Sequence, residues 1–284
     1  MPPTIGMLHN LQGIFGSAIK ALEIFYVLED VKPVARIMVN GSEKEKIFGF
    51  LEEKRLCYAL SDFKILKDDK DKAYSDKGVK VSADSVEKGY FFVYISKDKE
   101  KADKAKEFEK DGKHKEFGVL LGYPECCGEF FEKHFEEESK RHNDFTLATL
   151  KDSDGFTFPF YTNIASRHFD VALLSHFPCS FTCSDSIESA KKHLGIIKKY
   201  DKEAAEIIEG MLKGGIVYTE TNGVFLLRYP ILEHNRLYYK GIMASKNNQL
   251  YESLKNADYI EIVNKNRIRL SGLEIKYIGI MLFS

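Results

Sequence analysis

Ile216-Val-Tyr-Thr-Glu-Thr-Asn-Gly-Val-Phe-Leu-Leu227 is two runs of β-branched, aromatic and aliphatic residues joined by Thr221-Asn222-Gly223. Asn-Gly accepts the positive φ angles of a tight hairpin turn, so the stretch predicts two antiparallel strands. A second pair follows: 259–263 and 267–270 flank Asn264-Lys265-Asn266. Residues 275–283 read as a last strand and 250–254 as a short helix. Residues 214–284 therefore predict a small β-barrel-like or sheet domain of about six strands.

Upstream the pattern changes. Residues 116–213 read as mainly helical. Pro124 suits the first turn of a helix that turns Phe130, Phe131 and Phe135 inward. Asp152-Ser-Asp-Gly155 is a turn, 156–161 an aromatic loop and 163–170 a short helix. A longer helix is expected over 184–211, with Asp185 and Glu188 as a capping box. Residues 1–115 alternate helical and strand signals. Residues 14–28 predict one amphipathic helix, interrupted by Lys20 and Glu23 and lacking the basic start of a signal peptide. Residues 35–39 form a strand closed by Asn40-Gly41, 47–56 a helix, 57–60 a strand and 90–95 a strong strand. The charged run 67–72 is a solvated linker, and 97–110 a charged helix with opposite charges at i,i+4. The expected class is α+β, in three domains: an α/β part over 1–115, a helical part over 116–213 and a β part over 214–284.

Composition narrows the function classes. With 44% hydrophobic and 30% charged residues over 284, the chain is ordinary for a globular protein. Its formal net charge of −1 creates no global field for nucleic acid or anionic lipid. No apolar run approaches the roughly 18 residues of a membrane helix, so a cytoplasmic protein is expected. Glutamine occurs only as Gln12 and Gln249 and tryptophan is absent, while lysine and glutamate are frequent, a composition that suits a thermophile. Walker loops, Gly-x-Gly-x-x-Gly, His-Glu-x-x-His and Gly-x-Ser-x-Gly are all absent from the sequence, which disfavours nucleotide hydrolysis, dinucleotide chemistry and serine hydrolysis.

Four of the five cysteines form two tight pairs: Gly122-Tyr-Pro-Glu-Cys-Cys-Gly128 and His176-Phe-Pro-Cys-Ser-Phe-Thr-Cys-Ser-Asp185. Each pair falls at an expected helix start, where free N–H groups and the helix dipole stabilise thiolates. If the two segments converge, four thiolates around one point repel unless they are protonated, oxidised or neutralised by a cation. Three solutions stand open. A metal is one, with Cys126, Cys127, Cys179 and Cys183 as ligands and His176 or His134 able to complete the set. Adjacent cysteines on a helix diverge by about 100° and reach separate irons more readily than one ion, which favours an iron–sulfur cluster over zinc. Thiol redox chemistry is the second solution. Structural disulfides or packed thiols are the third. Cys57 stands in an apolar stretch and reads as a core residue. Asn163 and Arg167 lie four apart, hence on one face of a helix, and Arg167 can anchor an anionic group. With His176 as acid or base these are the candidate catalytic residues.

The motifs Gly122-Tyr-Pro-x-Cys-Cys127 and His176-x-Pro-Cys-x3-Cys183 together resemble an uncharacterised, largely archaeal domain-of-unknown-function family with bacterial relatives. The resemblance covers about residues 116–195. It implies an archaeal cytoplasmic protein with a shared cysteine/histidine site at Cys126, Cys127, His176, Cys179 and Cys183, to which Asn163 and Arg167 belong; it brings no reaction.

Two functional readings follow. One is a metal- or thiol-dependent enzyme acting on a small molecule or RNA by redox or sulfur chemistry. The other is a non-catalytic module in which the cysteines staple the fold and the β domain binds a macromolecule. Residues 214–284 hold nine Lys/Arg and six Asp/Glu, with Arg228, Arg236, Arg267 and Arg269 among them. Together with Tyr238, Tyr239, Tyr251 and Tyr259 they suggest RNA as a partner.

Overall fold

The computed structural model describes residues 7–67, 78–140 and 143–284. The fold is α+β, and it divides into two compact units. The first comprises residues 1–143 and 192–202, the second residues 144–191 and 203–284.

In the first unit, α1 (Met7–Phe15) and α2 (Ala18–Leu28) replace the single helix expected over 14–28. Gly16 takes φ 69°, which ends α1, and the Ser17 hydroxyl accepts from the Lys20 amide to start α2. β1 (Ala35–Asn40), α3 (Lys44–Glu53), β2 (Cys57–Leu66), β3 (Val79–Ser82) and β4 (Tyr90–Ser96) follow. The four strands form an antiparallel sheet ordered β1-β4-β2-β3. As a central strand β4 is buried on both sides. Phe92 and Tyr94 pack with Ala102 and Ala105 of α4 (Lys99–Lys110), while Val93 and Ile95 alternate with them and are fully buried too. The charge run is thus an amphipathic helix whose two alanines carry its contact with the sheet. Asp98 caps it by accepting from the Glu100 amide. Most of the stretch 67–72 lies outside the described residues.

α5 (His114–Leu120) and α6 (Glu125–Glu138) are joined by Leu121-Gly-Tyr-Pro124. Gly122 holds φ 79°, which favours glycine, and a Cβ there would crowd Pro33 Cδ at 3.1 Å. Pro124 is the residue immediately before α6. Residues 192–202 also belong to this unit: His193 stacks on Tyr26 at 4.0 Å, and the Tyr200 ring packs edge-on to Phe25.

In the second unit, α7 (Thr146–Lys151) leads into β5 (Thr157–Phe158). Short 3-10 turns at Phe160–Thr162 and Ala165–Phe169 take the place of the helix expected over 163–170, which Asp170 ends in the left-handed region. α8 (Ser184–Tyr200), whose residues from 192 on belong to the first unit, stops short of the predicted 211. Asp201, a favoured N-cap type, separates it from α9 (Lys202–Leu212).

The remaining strands are β6 (Gly214–Thr219), β7 (Gly223–Arg228), β8 (Ile231–Glu233), β9 (Arg236–Tyr238), β10 (Gly241–Ala244), β11 (Ile260–Asn264), β12 (Arg267–Leu270), β13 (Leu273–Lys276) and β14 (Gly279–Phe283). α10 (Gln249–Asn256) lies between β10 and β11. They build two five-stranded sheets, β10-β7-β6-β14-β5 and β13-β12-β11-β9-β8. The β6–β7 hairpin forms, but Gly223 starts β7 opposite Thr219, so the loop is residues 220–222 and not a tight Asn222-Gly223 turn. The final strand is cut in two because Tyr277 takes φ 58°: β13 pairs with β12, whereas β14 crosses to β6 and, in parallel, to β5. Val217, Phe225, Leu237, Ile260, Ile268 and Ile280, all fully buried, form the core the two sheets share. Each such side chain contributes about 1.5–3 kcal/mol relative to exposure.

Candidate metal centre

Cys126 and Cys127 occupy the first turn of α6. The Cys127 and Gly128 amides both reach the Pro124 carbonyl at 3.0 Å, so Pro124 sets the direction in which the turn begins. Lys115 lies across the outer side of this turn, bonded to Glu125 at 2.8 Å and Glu129 at 2.9 Å. Its hydrogen bond and charge hold the Glu125 carboxyl below its usual range.

Cys179 and Cys183 lie on the loop that enters α8. Cys183 directly precedes the helix, and its carbonyl accepts from the Ile187 amide at 3.0 Å. Hydroxyl-to-backbone bonds fix the loop. Thr149 Oγ1 donates to the Pro178 carbonyl at 2.8 Å, Thr162 Oγ1 to the Phe181 carbonyl at 2.7 Å, and the Phe181 amide donates to Ser153 Oγ at 2.8 Å. The Phe181 ring, wholly buried, packs on Phe158 and Phe283. A loop pinned at both walls and at its centre presents its sulfurs from a fixed backbone.

The four sulfurs come together. The Sγ atoms of Cys126, Cys127, Cys179 and Cys183 all lie within 4.8 Å of one another, and those of Cys126 and Cys127 are 3.8 Å apart. Cys127 and Cys183 are buried; Cys126 and Cys179 are half-buried. None is in a disulfide. Such a group can hold a metal ion.

His176 is not a member of this group. It is buried, with Nε2 2.9 Å from Ser186 Oγ. Asn163 is buried as well. Its amide donates to the Leu212 carbonyl at 2.7 Å and its carbonyl oxygen accepts from the Ser166 amide at 3.2 Å. Arg167 donates from Nε to the Ile164 carbonyl at 3.0 Å and from a terminal nitrogen to the His176 carbonyl at 3.5 Å, with its guanidinium 4.2 Å from the Phe177 ring centre. Arg167 therefore bonds to the loop backbone that leads to the second cysteine pair, whereas Asn163 ties its own turn to the end of α9. His134 packs against Phe130. Cys57 begins β2, half-buried, with its sulfur 4.0 Å from the Lys97 carbonyl.

Two buried polar clusters have no motif in the sequence. Asp144 accepts from the Thr146 amide at 2.9 Å, from Thr146 Oγ1 at 2.5 Å and pairs with His168 Nε2 at 3.1 Å. Burial alone would raise its pKa, but the His168 bond and charge, the Arg167 charge and the Thr146 hydroxyl hold the carboxyl well below its usual range. Burial and the Asp144 carboxylate push the Tyr218 phenol far up. The second cluster is an ion pair of Glu23 and Lys32, both under a tenth exposed, with the ammonium 5.1 Å from the Tyr123 ring centre. A faint local signal existed for the first: Asp144 stands two residues before Thr146, where a helix start wants an acceptor. For the second there was none, since Glu23 and Lys32 meet only once the chain folds.

On the β sheets, Arg269 pairs with Glu261 at 3.1 Å and Arg267 with Glu274 at 3.2 Å, while Arg236 lies over Tyr259. Among the described residues no single helix is long and apolar enough to cross a membrane. Compared with protein-family models, curated proteins and solved structures, the chain matches none.

Proposed function

We propose that Cys126, Cys127, Cys179 and Cys183 together ligate one metal ion, that zinc is the ion they suit best, and that its role is structural. The observation that carries this reading is the mutual approach of all four sulfurs within 4.8 Å. At an effective dielectric near 20, two thiolates at that distance repel by about 3 kcal/mol, and the six pairs by about 20 kcal/mol. A dication removes that penalty. Zn–S bonds of about 2.3 Å in a tetrahedron place sulfurs about 3.8 Å apart, which matches Cys126 and Cys127.

The same distances favour one ion over a cluster. A cluster spreads its cysteine ligands over separate irons, farther apart than the ligands of a single ion. Adjacent cysteines on a helix diverge by about 100°, yet the first turn of α6 sets its two sulfurs 3.8 Å apart, a ligand–ligand spacing. Four cysteine ligands leave a tetrahedral ion no open position, the mark of a structural site.

The test is anaerobic purification followed by elemental analysis and a visible spectrum. The proposal expects one zinc per chain in a colourless protein. A brown protein with iron and sulfide replaces zinc by a cluster. A metal-free protein that takes up no zinc on titration overturns the reading.

A further inference from the structure

The four sulfurs are not equally sheltered, and each segment contributes one of each kind. Cys127 and Cys183 are buried, with 2% and 8% exposure, while Cys126 and Cys179 are half-buried. Thiol oxidation follows thiolate character and exposure. Metal ligation keeps all four as thiolates, and the start of α6 adds the pull of its N-terminal amides at Cys126. Exposure then selects which sulfurs an oxidant meets.

We propose that Cys126 and Cys179 are a peroxide-sensitive pair whose oxidation to a disulfide releases the metal. This rests on the metal reading above. Stereochemistry limits the pairings. Consecutive Cα atoms stand about 3.8 Å apart, below the roughly 4.4–6.8 Å that a disulfide spans. Cys126 and Cys127 therefore do not bridge inside α6, and the partner of Cys126 comes from the second segment. Cys179 is the half-buried sulfur there, within 4.8 Å.

The chemistry balances with a hydroperoxide as oxidant. One thiolate attacks a peroxide oxygen, the O–O bond breaks, and a sulfenic acid forms as the leaving oxygen takes a proton from water. The second thiolate attacks that sulfur, the S–S bond forms, and the S–O bond breaks with loss of hydroxide, which is protonated to water. Two sulfurs supply two electrons and the peroxide takes both. The ion, redox-inert if zinc, loses two of four ligands and dissociates.

The experiment uses the full chain carrying Cys57→Ser, which removes the remaining half-buried thiol, purified with zinc bound. Hydrogen peroxide is titrated while a chromogenic chelator reports free zinc, and disulfides are mapped by non-reducing peptide mass spectrometry. The expected result is one zinc released per peroxide consumed, a Cys126–Cys179 linkage, and recovery of bound zinc after dithiothreitol and added zinc. Zinc retained against excess peroxide, or released with a Cys179–Cys183 or Cys127–Cys183 linkage, overturns this proposal and leaves the metal reading standing. A chain that holds no zinc before peroxide is added overturns both.

Discussion

The Asp144 cluster and the cysteine group bury polar atoms by opposite means. Asp144 is closed by the chain itself: an amide, two hydroxyls, an imidazole and a nearby guanidinium surround one carboxylate. Its charge is compensated once the backbone is in place. The four cysteines bring like groups together and could hold a metal ion, and under the proposed reading a cation balances them as thiolates. A buried polar cluster that satisfies itself reads as architecture; a group of four ligand atoms of one kind reads as a candidate metal site. That difference, more than any motif, separates the candidate site from the other buried polar groups.

The largest effect is expected at the cysteines. Cys127→Ser removes a buried ligand; stoichiometric metal is lost, and the unfolding free energy falls by several kcal/mol, bounded above by the roughly 10–16 kcal/mol of zinc-peptide sites. Elemental analysis and denaturant unfolding check both, and a variant that keeps its metal and stability removes Cys127 from the centre. Next comes the Glu23–Lys32 pair. Glu23→Gln removes the carboxylate that faces a buried ammonium and is expected to cost about 3–5 kcal/mol in urea unfolding, with metal content unchanged.

The Asp144 cluster follows. Asp144→Asn keeps the shape and loses the charge, for an expected loss of about 2 kcal/mol. Its pH dependence has a definite sign. The folded carboxyl lies below the ordinary value of 3.8, so the unfolded chain binds the proton more readily. The stabilisation is complete above the unfolded value and is lost as pH falls through it toward the folded one. Unfolding series from pH 7 down to about pH 3 should show wild type losing more stability in the acid range than Asp144→Asn, and identical profiles would remove Asp144 from this role. The smallest effect is expected at Arg269→Ala, under about 1 kcal/mol, because its pair with Glu261 is partly solvated.

Much of the fold was legible where a local rule decides it. Asn222-Gly223 and Asn264-Lys-Asn266 mark hairpins through turn chemistry, and 90–95 marks β4 through residue type. Breaks were harder. Nothing in 275–283 announces that Tyr277 turns left-handed and sends its two flanks to different sheets, because that choice is made by the pairing partners β12 and β6. Gly16 does carry a local cue, yet the apolar periodicity of 14–28 runs through it and masked the break. For the site, residue type and the repeated Pro-Cys pattern sufficed to expect convergence, since thiol pairs at helix starts are otherwise poorly placed. The surroundings were not legible. Asn163 and Arg167 are polar residues near the cysteines in sequence, but a backbone-bonding role and an anion-binding role use the same residue types.

The most direct test is X-ray absorption at the metal edge of the purified protein. One shell of four sulfurs at about 2.3 Å, with no short metal–metal vector, is the predicted result. A shell containing nitrogen or oxygen in place of sulfur, or a metal–metal scattering path, would contradict a single ion held by Cys126, Cys127, Cys179 and Cys183.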